Sequence, residues 1–332
     1  MTCARKSLVS LQDTPYYHVV ARCVRRAWLW GFDEYASKDY SHRKAWVLER
    51  LKFLSTMYAI DICAYAVMSN HYHLVLRVDQ HRAKAWTTDE VVERWTKMFT
   101  RPPLVERLQQ KQGSAAEHKA AIAIVEQWRK RLCDISWYMR CLNEHLARRA
   151  NIEDGCKGRF WEGRFRSQAL LDDAGLLTAM VYVDLNPIRA GIADTPEATD
   201  FTSISARIEF LRHERHNKSK TESDRVEVPL LGFRDTSPKA GPAIPCRLTD
   251  YLELVDWSGR SRRPAKRSSI DARLPPIFVR LNIEAEAWRL AMQSGGKLFG
   301  RALGKIDRLR LHAKTLGQSW IKGLKHSKQL YS

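Results

Sequence analysis

The sequence contains no CxxC pair, and its seven cysteines are scattered along the chain. Such a set favours reduced thiols over a disulfide framework or a zinc ribbon. No apolar run reaches the about 18 residues that a membrane-spanning helix needs. The stretch 1–18 also has too few apolar side chains for a secretory signal. We therefore expect a cytoplasmic protein without membrane contacts.

No glycine-rich phosphate loop ending in Lys-Ser or Lys-Thr occurs in the chain, which argues against a nucleotide cofactor and a helicase domain. Acidic residues are in deficit, because 37 Asp and Glu face 56 Lys and Arg, for a net charge of +19. The excess is concentrated in residues 202–332, which hold 26 basic and 13 acidic residues. This balance favours a nucleic acid partner. It fits a ribosomal or RNA-modifying protein as well as a DNA-binding one.

The hydrophobic patterns predict the element order β-α-β-β-helices-β-α, which is an α+β fold with a central antiparallel sheet. Two polar residues, Ser69 and Asn70, separate two of the strands and predict a hairpin. The predicted elements are strand 16–24, helix 43–58, strands 61–68 and 71–78, two or three helices within 86–150, an extended segment 157–171 and a helix from Asp172 and Asp173 to about Leu185.

Composition also predicts the division of the chain into parts. Residues 1–212 form the α+β domain, with the helical segment inserted at about 80–150. The polar stretch 213–243 reads as a linker because it is rich in Ser, Pro and Lys. Apolar patterning resumes at 244–332, which predicts a small, basic, mostly helical C-terminal domain that contacts DNA.

His71, Tyr72 and His73 are the sharpest local signal in the sequence. On a strand, residues i and i+2 project from the same face, so both imidazoles can meet one metal ion while Tyr72 points into the packed side. Two imidazoles suit a divalent transition metal, and Mg²⁺ or Mn²⁺ fits if oxygen ligands complete the shell. The alternative is a pair of ordinary, half-exposed strand histidines.

Tyr182 and Asn186 stand four residues apart on a predicted helix and so share a face. Tyr182 can supply a phenolic oxygen as a nucleophile, and Asn186 a carbonyl oxygen for a metal. Taken alone, a tyrosine at this position is more often a core aromatic residue than a nucleophile. Together with the histidines, the set predicts metal-assisted attack of a tyrosine on a phosphodiester, which leaves a 5′-phosphotyrosine link and a free 3′-OH.

Arginines alternate with aromatic residues in KGRFWEGRFRSQ (157–168), and five basic residues lie within SGRSRRPAKRS (258–268). Arginines bind phosphates, and aromatic rings stack on unpaired bases. The alternative for both segments is a solvated, charged surface. The candidate DNA contacts are Arg159, Trp161, Arg164, Arg166, Gln168, Arg260, Arg262, Arg263, Lys266 and Arg267.

Three blocks of the sequence resemble the signature motifs of REP-associated tyrosine transposases, members of the single-tyrosine HUH transposase superfamily. The blocks are SNHYHLVL (69–76), GRFWEGRFRSQALLDD (158–173) and YVDLNPIRAGIA (182–193), and the resemblance covers roughly residues 14–205. It implies a ferredoxin-like (RRM-like) HUH domain. It also implies an enzyme that cuts and rejoins single-stranded DNA at hairpins, typically bacterial repeated extragenic palindromes.

The same resemblance implies a role for each matching residue. His71 and His73 match the metal-binding pair, Tyr182 matches the nucleophile, and Asn186 lies where related transposases place a third metal ligand. We therefore expect a divalent metal cofactor, a partner of single-stranded or hairpin DNA, and a location with the nucleoid in the cytoplasm. Related proteins are dimeric or monomeric, so a homodimer is possible.

Two other functions fit part of the pattern. The first is a non-catalytic, domesticated hairpin-binding protein used in regulation, although the tyrosine and histidines are intact. The second is an RNA-binding or RNA-processing protein, because a ferredoxin-like sheet also serves RNA recognition. The strand HYHLVLRV lacks the aromatic motif that an RNA-binding sheet of this kind uses. We therefore rank the RNA-binding function below both the nuclease and the hairpin-binding protein.

Overall fold

The helix and the three strands predicted between residues 16 and 78 are present, and the structure adds two short strands at 32–33 and 38–39 that the sequence did not predict. The computed structural model of the protein describes residues 9–24, 32–33, 38–216, 227–237, 241–260 and 300–331. Its strands are β1 (Tyr16–Arg22), β2 (Phe32–Asp33), β3 (Lys38–Asp39), β4 (Ile60–Val67), β5 (His71–Val78), β6 (Arg166–Leu170) and β7 (Ala302–Leu303). Its helices are α1 (Arg43–Met57), α2 (Gln80–Ala85), α3 (Thr88–Thr96), α4 (Pro103–Gln109), α5 (Ala115–Arg131), α6 (Ile135–Glu153), α7 (Asp173–Asp184), α8 (Asn186–Arg189), α9 (Ser203–His216), α10 (Leu248–Arg260), α11 (Ile306–Thr315) and α12 (Leu324–Leu330).

Five strands form the central sheet, in the order β4-β5-β1-β6-β7. The first four are antiparallel, and β7 joins the edge parallel to β6. With α1 between β1 and β4, and α6 before β6, this is the strand order of a ferredoxin-like fold. The prediction of an α+β fold with a central antiparallel sheet is confirmed.

The two faces of the sheet pack against different helices, because successive strand residues point to opposite sides. Tyr17, Val19 and Leu74 belong to one hydrophobic core, which contains residues of α1 and α6. Val75 and Leu170 belong to a second core, which contains most of α7. We call the second side of the sheet the α7 face, and it carries the candidate site.

The segment between β5 and β6 contains five helices, α2 to α6, and four of them, α3 to α6, begin in the range 86–150 where two or three were predicted. Capping boxes start two of them, since Thr87 pairs with Glu90 at α3 and Ser114 pairs with Glu117 at α5. Each box satisfies backbone N–H groups that a helix start leaves open, so short helices can begin close together. The inserted helices pack through stacked aromatic rings of Trp95, Phe99 and Trp128.

The described parts of the predicted linker and C-terminal domain pack against the α+β domain, and residues 217–226, 238–240 and 261–299 lie outside the described residues. Within the stretch 227–237, Leu230 forms a β-bridge with Ile62, and Phe233 is buried. Helix α10 packs on α7, and β7 extends the sheet. Gly175 permits this close approach, because a Cβ there would lie 2.6 Å from the Leu303 carbonyl oxygen. The described residues after 226 therefore share the core of the α+β domain.

In the described part of the chain, no helix is both long enough and apolar enough to cross a lipid bilayer.

Candidate metal and nucleophile site

Two histidines of β5 lie on the α7 face of the sheet, beside the C-terminal end of α7. His73 is buried and His71 is half-buried. Their ring centroids are 4.9 Å apart. Tyr72 between them points to the opposite face, where its hydroxyl donates to Asn143 Oδ1 over 2.5 Å. The alternation of the strand therefore places both imidazoles in one site and fixes Tyr72 in the other core.

Both histidines use Nδ1 for contacts within the protein. His71 Nδ1 lies 2.6 Å from Asn70 Oδ1. His73 Nδ1 lies 2.9 Å from Nε2 of His18, a residue of β1, and the two rings stack. A metal-binding histidine commonly uses one ring nitrogen for the ion and the other for a neighbour. A metal would therefore be bound by Nε2 of each ring, which in His73 faces the Asn186 side chain in this structure.

Tyr182 projects from α7 toward these histidines. Its ring centroid lies 5.7 Å from that of His73 and 6.0 Å from that of His18, with both pairs edge-on. The guanidinium of Arg189 lies over the tyrosine ring, 4.2 Å from its centroid. The tyrosine is half-buried, so it belongs to the site and not to the interior of the core.

Asn186 lies on a separate short helix, contrary to the single helix that the sequence predicted. Helix α7 ends at Asp184 and α8 begins at Asn186, because Pro187 has no N–H to continue the hydrogen-bond ladder. Leu185 still donates to Val181 and accepts from the N–H of Arg189. The chain therefore stays nearly helical, and Asn186 Nδ2 reaches within 3.0 Å of His73 Nε2.

Burial keeps the three imidazoles uncharged at neutral pH. Desolvation lowers the pKa of His18 to about 4. Desolvation, together with the nearby Arg22, lowers the pKa of His71 to about 4. Desolvation lowers the pKa of His73 well below its ordinary value, and the neighbouring His18 and His71 add to this effect. Neutral imidazoles are the form that binds metals.

The donor set fits a divalent ion held by two imidazole Nε2 atoms and neutral or phosphate oxygens. Across the described ranges, no group of three or more His, Cys, Asp or Glu side chains could hold a metal. A third ligand from the protein would therefore be an oxygen of Asn186 or Tyr182. Mg²⁺ and Mn²⁺ accept such oxygen-rich shells, which substrate phosphates complete.

The segment 157–165 is not the continuous strand that the sequence predicted. Among the described residues, a bridge between Trp161 and Cys23 is the only pairing of this segment with the sheet before β6 begins at Arg166. The exposed Arg159 donates Nε to the Trp161 carbonyl over 2.8 Å, so it stabilises its own loop. Arg164 and Trp161 line an open cavity of about 190 Å³ beside α6, together with Phe165.

The other candidate DNA contacts differ in exposure, in hydrogen bonding, and in whether their side chains lie among the described residues. Arg166 is exposed at the α7 face, opposite Val20 of β1. Gln168 is half-buried, and both its amide atoms are engaged inside the protein, with His18 and Gly300. Arg260 ends α10. Its side chain lies outside the described residues, as do the remaining four candidates, which are Arg262, Arg263, Lys266 and Arg267.

Three residues of the site were missed by the sequence analysis. They are His18, Arg22, which lies opposite His71 in the strand register, and Arg189. The available signal for His18 and Arg22 was their spacing of four in the strand YYHVVAR, which places both side chains on the same face. For Arg189 it was the position one helical turn after Leu185, seven residues after Tyr182.

Comparison with known proteins gives one structural likeness. A solved structure of a REP-associated tyrosine transposase bound to a REP hairpin is 13% identical in sequence, with a TM-score of 0.37. The match covers 74% of this chain and 99% of that chain. No family model and no curated protein matches the sequence. This likeness does not assign the chain to a family.

Proposed function

We propose that this protein is a metal-dependent endonuclease and strand transferase that cuts single-stranded DNA through Tyr182. The observation that carries the proposal is the convergence of four residues on one end of the α7 face. His71 and His73 come from β5, Tyr182 from α7 and Asn186 from α8, and the rings of His73 and Tyr182 are 5.7 Å apart.

His71 and His73 would hold the divalent ion through Nε2, with Asn186 as the third protein ligand. In the structure Asn186 presents Nδ2 to His73, so ligation requires its amide to turn and present Oδ1. A bound ion would polarise the scissile phosphate and offset the charge that develops during attack. Arg22 and Arg189 add two positive charges beside the site, which favours the binding of a phosphodiester.

Tyr182 would act as the nucleophile. Its oxygen attacks phosphorus, and a 5′-phosphotyrosine bond forms as the P–O3′ bond breaks. The phenolic proton passes to solvent, and the departing 3′ oxygen takes up a proton and becomes a 3′-OH. Because the phosphotyrosine keeps the energy of the phosphodiester, the 3′-OH of another strand can displace the tyrosine and rejoin the DNA.

Hairpin DNA with an unpaired flank is the substrate that we propose. The three sequence blocks that resemble REP-associated transposases support this choice, and so does the net charge of +19. Arg166, exposed on the α7 face, is the candidate for a backbone contact near the tyrosine. Trp161 and Phe165 line the cavity next to Arg164, on the α6 side of the sheet and not on the α7 face, and would offer rings for stacking unpaired bases there.

The test is cleavage of hairpin oligonucleotides, labelled at the 3′ end, in Mn²⁺ or Mg²⁺. Cleavage attaches the protein to the 5′ phosphate of the labelled fragment, so we expect a labelled protein band that survives denaturation. The band should be absent with Tyr182→Phe and with EDTA. Tyr16→Phe is the matched control, because Tyr16 is also half-buried but pairs with Arg77 at the other end of β1.

The same experiment separates catalysis from binding alone. A gel-shift assay with EDTA measures hairpin affinity without cleavage. If the wild-type protein binds hairpins but forms no adduct across a broad panel of repeats and both metals, the nuclease is refuted. The domesticated hairpin-binding protein then becomes the better description.

A further inference from the structure

We propose that Gln168 and His18 are positioning residues that hold His73 in the tautomer with Nδ1 protonated and Nε2 bare. This is the form in which His73 can bind a metal, so the consequence for metal binding rests on the proposed function. The tautomer itself does not. The residues form a chain of hydrogen bonds that runs from the edge of the sheet into the site.

The Gly300 carbonyl, just before β7, determines which atom donates and which accepts in each of these hydrogen bonds. Gln168 Nε2 lies 2.9 Å from the Gly300 carbonyl oxygen. A carbonyl oxygen only accepts, so the amide nitrogen of Gln168 must be the atom that faces it. Gln168 Oε1 therefore faces His18 Nδ1, at 3.5 Å, and can only accept from it.

The tautomer of His18 determines which atom donates in its hydrogen bond with His73. With its proton on Nδ1, a neutral His18 has a bare Nε2, and this atom faces His73 Nδ1 at 2.9 Å. His18 is buried, and in the described part of the chain neither it nor His73 takes part in an ion pair, so a charged ring is disfavoured. His73 Nδ1 must therefore carry the proton and donate it.

The far end of the chain agrees with this direction. Asn186 Nδ2 lies 3.0 Å from His73 Nε2, and an amide N–H can donate only to a bare ring nitrogen. If every hydrogen bond in the series ran the other way, Gly300 would have to donate and Asn186 would have to accept. In the structure Gly300 presents a carbonyl oxygen and Asn186 presents an amide nitrogen.

Strand pairing explains why these residues meet. Gln168 lies directly opposite His18 in the register of β6 and β1. Ala169 donates to the Arg301 carbonyl over 2.9 Å and pairs with Ala302, which places the Gly300 carbonyl beside Gln168. The C-terminal strand β7 thus has a function in this proposal: it sets the direction of the hydrogen bonds that reach His73.

The test is ¹⁵N NMR of the metal-free, full-length protein labelled on histidine, at neutral pH. Protonated and bare ring nitrogens differ strongly in ¹⁵N shift, and two-bond couplings to the ring protons distinguish Nδ1 from Nε2. The His73 signals are assigned by their loss in His73→Asn. We expect Nδ1 protonated and Nε2 bare in both His73 and His18. A protonated Nε2 on His73 would overturn the proposal.

Two variants of Gln168 form a matched pair. Gln168→Leu removes the acceptor for His18, so His73 should populate both tautomers. Mn²⁺ affinity should then fall by about tenfold or more, the usual effect of losing such a supporting bond. Gln168→Glu loses the bond to the Gly300 carbonyl, but both of its oxygens can only accept, so it keeps an acceptor facing His18 Nδ1 and should retain the wild-type tautomer. An unchanged His73 tautomer in Gln168→Leu would overturn the role of Gln168.

These readouts keep the two proposals apart. The NMR experiment needs neither metal nor DNA, so a failed cleavage assay leaves it intact. A wild-type His73 with bare Nε2 that binds no Mn²⁺ supports the hydrogen-bond direction and refutes the metal site. The reverse tautomer in an active nuclease refutes the hydrogen-bond direction alone.

Discussion

Replacing Asp184 should lower the stability of the protein, because its buried side chain connects the helix that carries Tyr182 to two other helices. Asp184 is fully buried at the end of α7, between Tyr182 and Asn186. One carboxylate oxygen accepts from the Ser203 hydroxyl and, at 3.0 Å, from the N–H of Ile204 at the start of α9. The other accepts from the hydroxyl of Tyr251 on α10. One side chain thus joins three helices beneath the tyrosine.

The magnitude follows from the groups that lose a partner. In Asp184→Ala, Ser203 Oγ can still donate to the Tyr65 carbonyl at 3.3 Å. The Ile204 N–H and the Tyr251 hydroxyl have no such replacement among their hydrogen bonds in the structure. Each buried group left without a partner costs about 1–3 kcal/mol. Removing Asp184 also removes the cost of burying its carboxylate, which offsets part of this loss. We therefore expect the free energy of unfolding to fall by about 2–4 kcal/mol.

Urea denaturation followed by tryptophan fluorescence measures this change. Asp184→Asn keeps an oxygen for Ile204 and should lose only about 1 kcal/mol, near the net value of one hydrogen bond. Glu197→Ala is the control, because Glu197 is an exposed acid nearby and should stay within about 0.5 kcal/mol of wild type. A loss below about 1 kcal/mol in Asp184→Ala would refute the reasoning.

Two further predictions, the first with a control substitution, concern the stability of the fold away from the site. Arg43→Ala should lower the free energy of unfolding by about 3 kcal/mol, because this buried arginine of α1 pairs with two carboxylates at the end of α6. Arg149→Ala, which breaks an exposed pair between the same helices, should cost under about 1 kcal/mol in the same urea titration, and equal losses would contradict the argument. Burial alone would raise the pKa of Asp79, but the bond from the Arg82 N–H and the nearby Arg77 guanidinium outweigh it and hold the pKa below its ordinary 3.8. The Asp79 charge therefore stabilises the fold above that pH, so Asp79→Asn should be less stable by about 1 kcal/mol at neutral pH. The difference in unfolding free energy between wild type and Asp79→Asn should become smaller as the pH of the denaturation series falls through 3.8 and below. A difference that grows over this range would refute the stabilising role of the Asp79 charge.

Local patterns in the sequence determined the strands and the pair of histidines. A period of two in HYHLVLRV places His71 and His73 on one face, and Ser69 with Asn70 makes the hairpin. Asp172 caps α7, as its position before an apolar helix predicted. These features depend on contacts between near neighbours in the chain, and such contacts are visible in spacing and residue type.

Tertiary structure alone decided which strands flank β1, and therefore what surrounds His73. The register brings His18 next to His73 and opposite Gln168, across 55 and 150 residues of chain. Gly300 joins the same network only because β7 adds in parallel to the edge of the sheet. A stretch that composition marked as a linker is likewise held by burial of Phe233. Strand partners are chosen by packing of the whole core, and a sequence read locally does not contain the register.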